Sequence, residues 1–172
     1  MAWKEIAGGI TGKAVGFAST VLESLEYDSK EKPIIPSHTV IFVPLSDRNE
    51  AHYLCSVLNS SILLLAIASY TYELRMESHI LKYLFIPKFD PKNPLHRRLS
   101  QFSQKAHEIT KKIYEENRED LRENLKKIEE EIDKTVAELY GITDDELKEI
   151  KKCLIILKEG KIPDEEKEGE EE

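Results

Sequence analysis

The feature that most restricts this chain is an apolar seam in its second half. Leu95, Leu99, Phe102, Ala106, Ile109 and Ile113 follow one another at intervals of 4, 3, 4, 3 and 4 residues. That spacing belongs to a helix packed lengthwise on another helix. The seam fails between Glu115 and Asp120 and resumes, out of register, at Leu121, Leu125, Ile128 and Ile132, then Thr135 or Val136, and Leu139. Two architectures satisfy it. One is a hairpin of two helices of about 20 residues, each about 30 Å long. The other is a single long helix with a stutter. The hairpin is favoured because each half needs an apolar partner and the other half supplies one; Asn117 is the only good breaker at the turn.

The end of the second helix is written plainly. Gly141 after Tyr140 suits a left-handed C-terminal cap, with Ile142 as the apolar contact beyond it. Thr143 and Glu146 then have the spacing of a capping box, and Leu147, Ile150, Leu154 and Leu157 line one face of a short last helix. Residues 159–172 are too acidic to bury a core and are expected to be a disordered tail.

Residues 1–93 read differently. Gly8, Gly9, Gly12 and Gly16 punctuate the start, which predicts short strands over Trp3–Ala7 and Ala14–Thr20. Glu26–Lys32 is charged and loop-like, and Pro33 and Pro36 bracket an edge segment at Ile34-Ile35. Thr39–Leu45 is the best strand, by its β-branched run. Asp47 and Glu50 then suggest a capping box for a helix with Ala51, Leu54, Cys55 and Leu58 inward. Asn59-Ser60-Ser61 breaks that helix, and Ile62–Ala68 forms a short apolar one. Leu81–Ile86 is expected to be a second strand stopped by Pro87, with Pro91 and Pro94 marking a linker. The expected fold is therefore α+β: a small mixed sheet with short helices over 1–93, then a long antiparallel helical hairpin and a short C-terminal helix over 94–158.

Composition limits the function classes. The 172 residues are 40% hydrophobic, enough for one sizeable core. Cys55 and Cys153 make no disulfide framework and fit a reducing compartment. Residues 1–9 carry no secretory pattern, and the longest apolar run, Ile62–Ala68, is far short of the about 20 residues of a membrane span. A cytoplasmic protein with no membrane partner is expected.

Catalytic constellations are not visible in the sequence. It has no phosphate-binding glycine loop, and Gly8, Gly9 and Gly12 read as turns. His52 and Cys55 lie three apart on one helix, but two ligands without two more do not make a zinc site, so no metal and no cofactor are expected. Most of the five histidines read as surface or turn residues, and the acidic residues beyond 115 as a solvated helix face.

The charge is unevenly spread. The formal net charge is −8, yet residues 1–100 hold 11 Lys and Arg against 10 Asp and Glu, while residues 101–172 hold 14 against 23. Between Lys88 and Lys112 stand seven cations (Lys88, Lys92, Arg97, Arg98, Lys105, Lys111, Lys112) against Asp90 and Glu108. Such a run at a helix start suits phosphate binding, or equally the outer face of a helix pair. Arg75 and Lys82, with Tyr70 and Tyr72, extend the same candidate surface.

The order of several motifs adds to this. Tyr53-Leu54 with Leu58-Asn59-Ser60, then Ile86-Pro87-Lys88-Phe89, then Ile132 through Asp144, resembles the C-terminal target-recognition region of adenine-specific DNA methyltransferases of restriction-modification systems. The last motif is also similar to the helix end of Type I specificity subunits. The resemblance covers roughly residues 3–157. It implies a module that reads a short sequence in double-stranded DNA and docks its helices on a methyltransferase catalytic domain or subunit. The family's catalytic Asn-Pro-Pro-Tyr or Asp-Pro-Pro-Tyr motif and its cofactor-binding glycines are absent here, so no catalysis and no catalytic residues are expected. The expected DNA contacts are Lys13, Arg75, Lys82, Lys88, Lys92, Arg97 and Arg98. A homodimer through residues 95–140 is a further expectation. The alternative is a helical interaction protein or an inactive remnant of a split methyltransferase gene.

Overall fold

The computed structural model describes residues 1–4, 17–28, 30–32, 34–35, 39–70 and 81–159. Among the described residues five short strands precede five α-helices: β1 (Ala2–Lys4), β2 (Ser19–Thr20), β3 (Leu25–Tyr27), β4 (Lys30–Lys32), β5 (Val40–Phe42), α1 (Arg48–Asn59), α2 (Ser61–Tyr70), α3 (Pro94–Glu115), α4 (Arg122–Tyr140) and α5 (Asp144–Glu159). The fold is α+β. The seam of residues 95–139 is a hairpin of α3 and α4, not one long helix.

Local chemistry accounts for the helix ends. Asp47 caps α1 through its carboxylate, which accepts from the Asn49 N–H at 2.7 Å. Asn93 does the same for α3 toward Leu95 N–H at 2.9 Å, with Pro94 in the first turn, where a missing N–H costs nothing. Between α3 and α4, Asn117 takes φ 54°, a left-handed conformation that Asn tolerates, and a 3-10 turn at Glu119–Leu121 leads into α4. Gly141 caps α4 at φ 69°, and Ile142 N–H reaches back to Ala137 C=O at 2.9 Å. The Thr143–Glu146 box is reciprocal: Thr143 N–H donates to Glu146 at 2.8 Å and Glu146 N–H to the Thr143 hydroxyl at 3.3 Å.

The strands depart from expectation in several places. β1 is the centre of a three-stranded antiparallel sheet, order β2-β1-β5, with Trp3 opposite Ser19 on one side and Ile41 on the other. Thr39–Leu45 contributes only Val40–Phe42, and of Ala14–Thr20 only Ser19–Thr20 is strand among the described residues. Glu26–Lys32 is not simply a loop: β3 and β4 pair as an antiparallel hairpin turned at Asp28, φ 55°. Leu81–Ile86 is not a strand: it starts in a 3-10 turn and continues as an irregular segment. Its apolar residues serve packing rather than a ladder. Residues 5–16, which hold the glycine cluster, and the tail from 160 lie outside the described residues.

Two apolar clusters share α1 as their common wall. Toward the sheet, Cys55 and Leu58 meet Met1, Trp3, Phe17 and Ile67. Toward the hairpin, Tyr53 and Val57 meet Leu63, Leu99, Ile128, Ile132 and Val136. This explains why seven of the twelve α1 residues are buried. Leu84 and Ile86 border both clusters. The second cluster straddles residue 93, so the sheet-bearing part and the hairpin are packed through a common apolar core.

A buried carboxylate locks the helical side. Asp133 on α4 accepts from the Ser61 N–H and from the Ser61 hydroxyl, both at 2.7 Å, and pairs with Lys151 of α5 at 2.9 Å. It caps α2 from another helix, at Ser61 N–H, while the Ser60 hydroxyl accepts locally from Leu63 N–H at 3.4 Å. The acidic residues of this half are therefore not all a solvated face.

Candidate nucleic-acid interface

The segment from Leu81 to Asn93 crosses the surface between α2 and α3 and carries most of the described candidate cations. It is fixed at three points. The Tyr140 hydroxyl donates to Phe85 C=O at 2.7 Å, and the Tyr53 hydroxyl donates to Pro87 C=O at 2.9 Å. The third point is an aromatic stack: Tyr53 lies 5.5 Å from Phe89 and 4.5 Å from His96, centroid to centroid. Burial pushes the Tyr140 hydroxyl up to about 12, and burial with Tyr140 nearby pushes Tyr53 up as well, so both stay protonated donors.

His96 completes the joint. Its Nδ1 accepts from Asp90 N–H at 3.0 Å, which fixes the turn before α3. Burial lowers its basicity, against a smaller opposing effect from Asp90, and keeps the ring neutral so that Nδ1 remains an acceptor. Most of the histidines read in the sequence as surface or turn residues; His52 and His96 are buried, at 2% and 3% exposure. The signal that separates them from exposed histidines is position. Each falls within one turn of an apolar seam residue, His52 beside Ala51 and Tyr53, His96 beside Leu95 and Leu99.

Lys82, Lys88, Lys92, Arg97 and Arg98 are all exposed. Arg97 donates to Pro91 C=O at 3.3 Å, which leaves its charge uncompensated. Arg98 is 3.7 Å from Glu138 on α4, an exposed pair of the kind worth about 0–1 kcal/mol. Lys88, Lys92 and Arg97 form no salt bridge among the described residues. They run along the segment into the first turn of α3, which holds no acidic residue and adds its own positive field. Lys13 and Arg75, with the flanking Gly8–Lys13 and Tyr70–Lys82 loops, fall outside the described residues except at Tyr70, Leu81 and Lys82.

Other polar clusters are structural. His52 Nδ1 and Ser103 Oγ are 3.0 Å apart, but both side chains are enclosed between α1 and α3. Cys55 faces Ser19 rather than His52: its thiol is 3.4 Å from Ser19 C=O, and burial raises its pKa. No group of three metal-ligating side chains occurs among the described residues. A cavity of about 660 Å³ opens among the helices, bordered by Phe17, Leu64, Ile132 and Leu154 with Glu129, Asp133 and Lys151. No single described helix is long and apolar enough to cross a membrane; α1 and α2 pass that test only together, across a 65° bend. No protein-family model, curated protein or solved structure matches the chain.

Proposed function

We propose that this chain is a non-catalytic DNA sequence-recognition module of a restriction-modification adenine methyltransferase system. The observation that carries the reading is the pinned cationic segment: Lys88, Lys92 and Arg97 are exposed on a segment whose backbone two tyrosine hydroxyls hold at Phe85 and Pro87. Fixed positive charges suit the phosphates of a duplex, which set register, while bidentate arginine contacts specify guanine. In this reading Lys88, Lys92, Arg97 and Arg98 hold phosphates, and Lys13 and Arg75 belong to loops, the second ending at Lys82, that reach base edges.

The motifs on which the family resemblance rests support it further, because they converge. Tyr53 of the first touches Pro87 and Phe89 of the second, and Tyr140 of the third reaches Phe85 beside the second. The partner would be a methyltransferase catalytic domain or subunit, docked on the helices. Leu99, Ile113, Ile128, Ile132 and Val136 are buried within the chain, so a docked subunit or a second copy would use the outer faces of the hairpin.

The test is affinity for mixed-sequence duplex DNA as a function of salt. Affinity should fall steeply with salt, and the triple variant Lys88→Ala/Lys92→Ala/Arg97→Ala should flatten the log–log slope by about 2–3. Undetectable binding at low salt, with a methyltransferase partner present, overturns the proposal.

A further inference from the structure

Between Leu81 and Phe89 the chain carries two lysines, Lys82 and Lys88, and no carboxylate. Midway between them stands Phe85, 81% exposed. Its neighbours Leu84 and Ile86 are inserted where the two apolar clusters meet. Leu84 and Ile86 are half-buried and Phe85 between them is exposed, so the ring faces solvent while its two neighbours pack inward. Phe85 C=O is held by Tyr140 at 2.7 Å and Pro87 C=O by Tyr53 at 2.9 Å, from α4 and α1 respectively.

A lone exposed apolar residue on a surface is ordinary. A large exposed ring on backbone anchored from two helices, with a lysine three residues to either side in the chain, is a more specific arrangement. It matches a flat π face joined to a negative charge, which is the chemistry of a nucleobase within a polynucleotide. An apolar protein groove would satisfy the ring and leave both lysines unmatched. We infer that Phe85 is a base-stacking contact of the DNA interface, its ring lying against a nucleobase at one base step while Lys82 and Lys88 take flanking phosphates. The inference rests on the DNA-recognition reading and adds a contact of a different kind, one that is insensitive to salt and tolerant of sequence.

The test uses the full chain with a mixed-sequence duplex and with the same duplex carrying one mismatched pair, whose bases unstack more easily. Phe85→Ala should unfold at the wild-type temperature, since the ring supports no core. It should bind DNA about 5- to 150-fold more weakly, with an unchanged salt slope and with the preference for the mismatched duplex lost. Lys88→Ala should instead flatten the slope. Phe85→Trp should keep wild-type affinity, and its new emission, beyond that of the single buried Trp3, should be quenched when DNA is added. Equal affinity of wild type and Phe85→Ala overturns the stacking contact and leaves DNA recognition standing. Self-association of the wild type that Phe85→Ala abolishes assigns the ring to a second copy and also overturns it. Failure of the wild type to bind either duplex overturns both readings together.

Discussion

The helical hairpin and the three-stranded sheet occupy the same molecule but are specified in different ways. Three of the four ends of α3 and α4 carry a marker: Asn93 and Pro94, the left-handed Asn117 just past α3, and the left-handed Gly141. Between the markers the apolar spacing names the buried face. The sheet has none of this. Its strands are two or three residues long, and β1 finds its neighbours at residues 19–20 and 40–42. Strands that short have little stability of their own. The sheet is fastened to α1 instead, where Asn59 bonds the Ser19 N–H and C=O, both at 2.8 Å. A helix is closed by its own backbone, whereas a strand remains unsatisfied until a distant segment arrives. The sheet therefore depends on the helices more than the helices depend on the sheet.

Three changes probe that asymmetry. The largest effect is expected from Leu99→Ala. This side chain is fully buried in the cluster that joins α1 to the hairpin, so its truncation should cost about 2–5 kcal/mol. Because α1 also backs the sheet, urea unfolding followed by far-ultraviolet dichroism and by Trp3 fluorescence should shift together. Separate transitions would show that the sheet stands alone and would break the comparison.

Acid should act next. Burial, with His107 and Arg48 nearby, holds the His52 pKa down to about 4 from an ordinary value of 6.5. Above pH 6.5 the ring is neutral in both states and its contribution is complete. As pH falls, the unfolded chain takes up the proton first, and stability drains away until the folded ring titrates near 4. The loss attributable to His52 should reach about 2 kcal/mol at pH 5. Stability measured at pH 7 and pH 5 should fall less in His52→Gln than in the wild type; an equal fall would remove His52 from the account. His52 touches Ser103 of α3 and lies 3.8 Å from Glu23 beside the sheet, so this acid sensitivity belongs to the joint between the two regions.

The smallest and most local effect is expected from Asn59→Ala, which removes the bonds to Ser19 and should cost about 1–2 kcal/mol. Amide exchange should quicken across β1 and β2 while the middles of α3 and α4 keep their protection. Faster exchange in α4 would mean that the dependence runs both ways.

The same contrast governs what could be read in advance. The Thr143–Glu146 box, the Gly141 cap and the inward face of the hairpin are local patterns, and all are where the sequence puts them. The β3–β4 hairpin was hidden because its lysines and glutamates have low strand propensity and only the pairing makes them strands. Leu81–Ile86 misled in the opposite direction. Its apolar run before Pro87 is that of a strand, but the carbonyls of Phe85 and Pro87 are taken by tyrosine hydroxyls from two helices. For the candidate interface, the exposed run of Lys88, Lys92, Arg97 and Arg98 was legible as charge. The anchors beneath it were not, because Tyr53 and Tyr140 stand 87 residues apart in the chain and look in sequence like ordinary seam aromatics.

By itself the sequence determined the helices, their ends and their inward faces, because caps act within a few residues and helical periodicity is written continuously along the chain. It also determined that positive charge gathers before and along α3. Tertiary structure alone decided which segments pair as strands, that Asp133 and His96 leave the solvent, and that Phe85 is held outward. Each of these depends on a partner group tens of residues away, and a polar group or ring changes its environment only when that partner comes within contact distance.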